Sequence, residues 1–562
     1  MKFGSLKVLV AGLVLAMAAS ACGDDGAGDD ASSATSVAAT ASTTTVQQPV
    51  RGGSITVGVG TEVAGLDPIV MQTSGTVGGN EGAAIYDTIV RFNPETKKYE
   101  GRTAASLDPN GDFTEWTLKL KPGINFTDGT AYDAEAVKFN IERHTAATSR
   151  SGSKAILTEF VQTVTVVDPL SVRFTLKKSW PAFSFILTQN VGMIASPTAI
   201  RAAGAEFSTK PGKAGAGPFE VVSYAPKESL IVRRNPAYHG GDVYLDEIKF
   251  AVGAGGDQGK LDGMTAGTFQ VAILSTDPVI VASAQEKFSS LNRYSFAGSI
   301  VLMNSGIEAT CRGGQPAVHC TGQADGTNVK TQPPTADLRV RKAVQAAIDP
   351  KVVNDRAWGG KGLAGAALFP KEFPWDPAVS APAYDANEAK RLVEEAKRAG
   401  WNGAIRLLSP SDSVNSNMGL AVKTMLEQVG MQVTYSNQKE GPAFITQVVV
   451  DKDFDLAVPW SLSISDDDGA YNSLFNNLNS PGARTGYTTP EMDAAIDALR
   501  QATNDDTKRA AYKRIAETFN RDAPAAVLAA RPTATVHIAR LHGFQQSATA
   551  VVHFDKVWLA AS

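Results

Sequence analysis

The sequence predicts a mixed α/β protein assembled from several domain-sized units. Three observations lead there. The chain has 562 residues, and at roughly 150 residues per domain that suggests three to four units. Segments alternating apolar and polar residues at period two dominate its first half, and capped segments of helical period dominate its second. No internal repeat organises either half. With 43% hydrophobic and 20% charged residues the composition is that of a folded protein rather than a disordered one. A net charge of −4 is wrong for a basic nucleic-acid binder, and three Cys are too few for a disulfide-dense scaffold.

Taken in order, Ser54-Ile55-Thr56-Val57-Gly58-Val59 alternates and reads as a strand, broken by Leu66-Asp67-Pro68. Trp116 to Leu120 alternates again and runs into the turn residues Pro122-Gly123 and Asp128-Gly129. Asp133 is placed to cap a helix from Ala134 to about His144. Val172–Leu176 is a further strand, Phe219–Tyr224 with Leu230–Arg234 a hairpin, and Leu245–Val252 another strand. Asp337 caps a helix whose Val340, Ala343, Val344, Ala347 and Ile348 share one face. Asp385 and Glu388 form a capping-box pattern opening a helix that stops at Gly400. Thr489-Pro490 starts another, and residues 505–521 give one more.

The first fifty residues differ from the rest. Lys2 and Lys7 precede a twelve-residue apolar and small run, Val8 to Ala19, and then Ala21-Cys22. This is the layout of an export signal over 1–21. It resembles the lipobox of bacterial lipoproteins, in which the Cys becomes the lipid-modified N-terminus; Ala19 stands where Leu is usual. Residues 22–51 then read as a tether, since 23–48 hold almost only Gly, Asp, Ala, Ser and Thr and cannot bury enough apolar surface to offset ordering entropy. Cleavage would remove Lys2 and Lys7 and no acidic residue, taking the charge from −4 to −6.

Chemistry-bearing motifs are sparse. Gly259-Lys260 is a near miss for a phosphate loop: Ala254 replaces the first Gly and Leu261 the Ser/Thr, so a Gly-rich surface loop is expected there. The six His show no metal-ligand spacing, and there is no nucleophile elbow. No metal, no cofactor and no catalytic residue is expected. Cys311 and Cys320 are nine apart; in an oxidising compartment they pair as a disulfide, and otherwise they are two free thiols. Trp460 precedes Asp466-Asp467-Asp468-Gly469. Three adjacent carboxylates are either a solvated turn or part of a cleft facing a ligand ammonium, with Trp460 as an aromatic wall.

Four ordered motifs then resemble one family, the family 5 extracytoplasmic solute-binding proteins of ABC importers. They are Gly53–Val57 with Leu66-Asp67-Pro68; Ile85–Val90 through Trp116–Leu118 and Leu120–Thr130 to Asp133–Val137; Gly217-Pro218-Phe219 with Asn235-Pro236-Ala237-Tyr238; and Asp337–Ala343 ending in Ile348-Asp349. The resemblance covers nearly all of 52–562. It implies a two-lobed fold of the periplasmic-binding-protein type (class II, cluster C). The first lobe would be 52–88, 213–302 and 531–562, with a subdomain, 89–212, inserted in it. The second would be 303–530. Hinge strands would cross near Met303-Asn304 and Ala530-Arg531, and ligand would lie between closing lobes.

The resemblance further implies a monomeric receptor, not an enzyme, tethered to the membrane only through lipid on Cys22. Its partners would be a small peptide or other small solute and an ABC permease with its ATPase subunits. Ligand contacts are expected from Trp460, Asp466, Asp467 and Asp468, from Glu62, Gln72 and Thr73 beside Leu66-Asp67-Pro68, and from Trp358. Peptide-binding members usually place an acidic residue three after the Trp; here that position is Ser463. Either Asp466 or Asp467 takes the peptide amine, or the ligand is a sugar, opine, siderophore-like molecule or metal chelate. A secreted hydrolase is the alternative of another class, as is a receptor fold recruited for signalling or adhesion.

Overall fold

The computed structural model describes residues 48–60, 63–72, 74–253, 255–312, 317–480, 485–547 and 549–561. Cys22, Glu62 and Thr73, with the whole export signal and most of the tether, lie outside the described residues. An eleven-stranded mixed sheet dominates the fold. From one edge its order is Gln432–Lys439, Ala404–Pro410, Leu456–Trp460, Ser289–Met303, Ala525–His537, Val271–Leu274, Ser54–Val59, Glu247–Val252, Ser229–Arg234 and Phe219–Ala225, with Leu363–Ala364 pairing alongside Ala525–His537. The parallel pairs sit towards the two ends and are covered by helices, as buried parallel strands must be.

Two long antiparallel strands, Ser289–Met303 and Ala525–His537, join the halves of this sheet. Their register is regular from Ser289↔His537 to Ser295↔Arg531, breaks before Ser299↔Ala529, shifts once more, and is regular again from Ile300↔Val527 to Leu302↔Ala525. The break falls at residues 296–298. Ala297 has φ +44°, and a Cβ on Gly298 would lie 2.5 Å from the Ser295 carbonyl oxygen and 2.6 Å from Arg531 Cβ. Such an irregularity bends a strand and re-aims its side chains. Ala530 and Arg531 lie at this break. Met303 and Asn304 do not. Met303 is fully buried and paired with Leu456, and Asn304 is anchored to the Phe454 carbonyl and the Gly306 N–H.

A separate four-stranded antiparallel sheet, ordered Ala104–Pro109, Glu115–Leu120, Ser171–Leu176 and Val161–Asp168, is filled by Trp116, Phe174 and Phe183. Phe160 and Trp180 beside it pack on Phe475 and Tyr471 of the helix Gly469–Leu478, at ring separations of 5.8 and 5.9 Å.

Helix starts follow their caps. Asp133 accepts from Ala136 N, Asp337 from Arg339 N, and Thr489 from Met492 N. At Asp385 only half of the box forms. Asp385 accepts from Asn387 and Glu388 N, while the Glu388 carboxylate turns to Arg391. Around Gly259-Lys260 the expected surface loop is a helix, Gly256–Thr265, and Lys260 is buried against Asp257 at 2.9 Å. Cys311 and Cys320 are joined by a disulfide.

Candidate functional site

Segments far apart in the chain enclose a cavity of about 370 Å³. Gln72, Ser74 and Thr76 come from the loop after the strand Ser54–Val59, and Ser275 from the end of Val271–Leu274. Ser461, Ser463 and Ser465 come from the loop after Leu456–Trp460, and Asn472 and Ser473 from the helix that follows. The floor is the pair of long strands. Side chains alternate across a strand, so Arg293 and Ser295 share a face with Arg531 and Thr533. Arg293 pairs with Thr533 and Ser295 with Arg531, which sets the two arginines diagonally on that face. Ala530 projects the other way, into a second cavity lined by Phe296 and Leu363.

The loop 461–468 is fastened to the floor. Leu462 N donates to the Ala297 carbonyl, and Phe296 and Ile464 exchange backbone bonds at 2.9 and 3.1 Å. Ser461 and Ser463 hydroxyls lie 2.9 Å apart, and Ser473 Oγ donates to the Ser463 carbonyl. These bonds hold Ser463, with φ +50°, at the cavity wall.

The three carboxylates separate instead of converging on a ligand. Asp467 is 2% exposed and accepts from Ser465 Oγ and Gly469 N. Burial, with the adjacent Asp466 charge adding to it, pushes its carboxyl up to about 7. Asp468 accepts from the Tyr99 hydroxyl at 2.8 Å and from Lys508 Nζ at 2.6 Å. Asp466 is half-buried, raised by burial against the attraction of Arg293, and does not line the cavity. In place of an ammonium-binding cluster, this loop presents serine hydroxyls.

The two tryptophans also differ from expectation. Trp460 is 9% exposed, ends its strand and packs near Phe444. Trp358 is 4% exposed and closes the helix Pro350–Trp358 in a core with Val353 and Val344. Large apolar surface is most favourably placed where it excludes water, and packing takes both rings there. Of the expected contacts, Gln72 lines the cavity, as does Arg531, which was expected at the hinge. Arg293, Ser461, Asn472 and Thr533 were not anticipated. The alternating stretches Asn292-Arg293-Tyr294-Ser295 and Arg531-Pro532-Thr533 were the available signal, readable only once both are known to pair.

The described lining residues hold two arginines and no acidic group. Arg293 donates to the backbone carbonyls of Asn292, Gln546 and Ser547 at 3.1–3.4 Å. Arg531 is half-buried, and its Nε has no hydrogen-bond partner. Burial lowers its pKa, opposed by the Asp257 charge, yet an arginine stays protonated. Among the described residues no three His, Cys, Asp or Glu gather to hold a metal. The arrangement can surround and orient a small polar solute.

Residues 98–482 match the family described as bacterial extracellular solute-binding proteins, family 5 (middle region). The glutathione-binding protein GsiB of Pectobacterium atrosepticum is 24% identical over 501 residues, spanning 87% of this chain and 90% of that protein. Among solved structures, the oligopeptide-binding protein AppA of Bacillus subtilis, in complex with a nonapeptide, superposes with a TM-score of 0.72 at 18% identity, covering 92% of this chain and 100% of AppA. NikA of Brucella suis, in complex with Fe(III)-EDTA, gives 0.69 at 20% identity, covering 90% and 100%. With that match spanning most of the chain, and an α/β fold of the same kind, the protein belongs to the family 5 extracellular solute-binding proteins.

Proposed function

We propose that this chain is the lipid-anchored receptor of an ABC importer, capturing a peptide-like solute between two closing lobes and presenting it to the permease. The observation that carries this reading is the cavity itself. Its walls come from both halves of the sheet and its floor from the two strands that join them. In this reading the lobes are 52–88, 213–302 and 531–562 on one side and 303–530 on the other, with 89–212 inserted in the first. Closure turns on Ala530-Arg531 and the facing bulge at 296–298. A solute touching both walls binds the closed form more tightly and shifts the population towards it. No bond is made or broken. The glutathione-binding and peptide-bound relatives support a peptide-like solute. Cys22 would carry the anchor; among the described residues no helix is long and apolar enough to cross a membrane.

Mass spectrometry of solute retained after gentle purification, with thermal shifts over peptides, sugars and chelates, tests the ligand. A retained or stabilising peptide is expected, together with a more compact scattering profile on binding. A protein that no solute stabilises or compacts would overturn the receptor reading. Cys22→Ser should release the protein from the membrane fraction, and its retention there would remove the lipid anchor from the proposal.

A further inference from the structure

The floor of the cavity carries a charge imbalance. Two guanidinium groups face it, and among the described lining residues nothing acidic answers them. Of the nearby carboxylates, Asp466 attracts Arg293 from off the lining, and the others are committed elsewhere. Asp257, the acidic group that Arg531 senses, accepts from the backbone N–H groups of Ser275, Thr276 and Asp277 and pairs with buried Lys260. Asp467 and Asp468 are tied to Ser465, Gly469, Tyr99 and Lys508.

The two arginines are not equivalent. Arg293 is held by three backbone carbonyls, whereas the Arg531 side chain makes no hydrogen bond or ion pair among the described residues. A half-buried cation without a counter-ion is costly to hold, and the cost is recovered when an anion arrives. The planar guanidinium fork fits a carboxylate in two parallel bonds. Around it stand hydroxyls, Ser275, Ser295 and Thr533, able to complete the coordination of the carboxylate oxygens.

We propose that Arg531 anchors a carboxylate of the bound solute, with Arg293 as a second positive charge on the same face, so that the receptor selects acidic solutes over neutral or cationic ones. This rests on reading the cavity as the solute site. The chemistry is shared by a short peptide with a free C-terminus and by a sugar acid. Because Arg531 lies at the break between the long strands, the anion is neutralised where the halves of the sheet meet.

The test is calorimetric titration of the full chain with matched pairs: di- and tripeptides and glutathione against their carboxamides, and sugar acids against the neutral sugars. The wild-type protein should bind a carboxylate form about thirtyfold or more tightly than its neutral partner. Arg531→Gln should erase that preference and Arg531→Lys should keep part of it, with circular dichroism and thermal midpoints checking that both variants fold. The comparison of acid with amide in the wild-type protein needs no variant at all. If sugar acids bind through Arg531 and peptides do not, the carboxylate site stands and the peptide-like solute is wrong. Equal affinity for acids and their neutral partners, an unchanged preference in Arg531→Gln, or no carboxylate binding to the wild-type protein would each overturn the proposal.

Discussion

Asp467→Asn separates a buried structural carboxylate from a ligand contact. Burial lifts the Asp467 carboxyl from an ordinary 3.8 to about 7. Between those values the folded protein holds a proton that the unfolded chain has released. Stability from this group is therefore fully present below about pH 4 and is lost as pH rises through about 7. Three units at 1.36 kcal/mol each set a ceiling of about 4 kcal/mol on that loss. The amide cannot ionise, but its NH2 must fit where the neutral acid's hydroxyl stood, which takes back about 1–2 kcal/mol. The variant should thus be more stable than the wild type by about 2 kcal/mol near pH 8, and level with it or slightly less stable near pH 5. Thermal midpoints of both proteins across that range, without ligand, give the crossing. Parallel pH profiles would refute the burial argument. Unchanged solute affinity is also expected, and a large loss in Asp467→Asn would return the residue to the ligand.

Three other outcomes follow from the same geometry. His553 is buried, and desolvation, with repulsion from Arg102, lowers it to about 4. It therefore contributes stability above pH 6.5 that disappears as pH falls towards 4, and His553→Gln should flatten this acid limb by up to about 3 kcal/mol in denaturant titrations. Asn472→Trp, at a half-buried position on the wall of the cavity, should weaken solute binding by about tenfold or more while leaving the melting temperature of the free protein nearly unchanged. Trp358→Ala should cost about 3–5 kcal/mol of stability and leave solute affinity intact, because the ring fills a core and does not line the cavity.

The motifs by which the family is legible turn out to be structural locks. Tyr86 donates to the Leu66 carbonyl, and Arg102 binds Asp87 at 2.8 Å and Asp555 at 3.1 Å. Tyr238 donates to Asp87 and accepts from Arg102, and Asn235 closes on the Gly217 carbonyl. Asp67 pairs with Arg143 at 2.6 Å. Each joins segments distant in sequence, so each constrains the fold, and none lines the cavity. A signature made of such residues identifies a scaffold and is silent about what the scaffold holds.

Strands and helices were read from the sequence because they depend on local physics. Period-two alternation marked Ser54–Val59 and Glu115–Leu120, and side-chain caps marked the helices after Asp133, Asp337 and Thr489. Less was legible where tertiary contacts outweighed local pattern. Gly256–Thr265 is a helix despite three glycines in its span because Leu261 and Met264 pack into the core and Lys260 finds Asp257. The functional site lay further out of reach. Its lining runs from Gln72 to Ala550, one to four residues per segment, with no spacing between segments that a linear reading can test. Burial then reassigned the conspicuous residues: Trp460, Trp358 and Asp467 went inside, and serines and two arginines took the wall. The chain by itself determined its element types and its family, because turns, caps and alternation act between near neighbours. Only the folded chain decided which charges face the cavity, because that depends on how two strands more than two hundred residues apart pair across a single sheet.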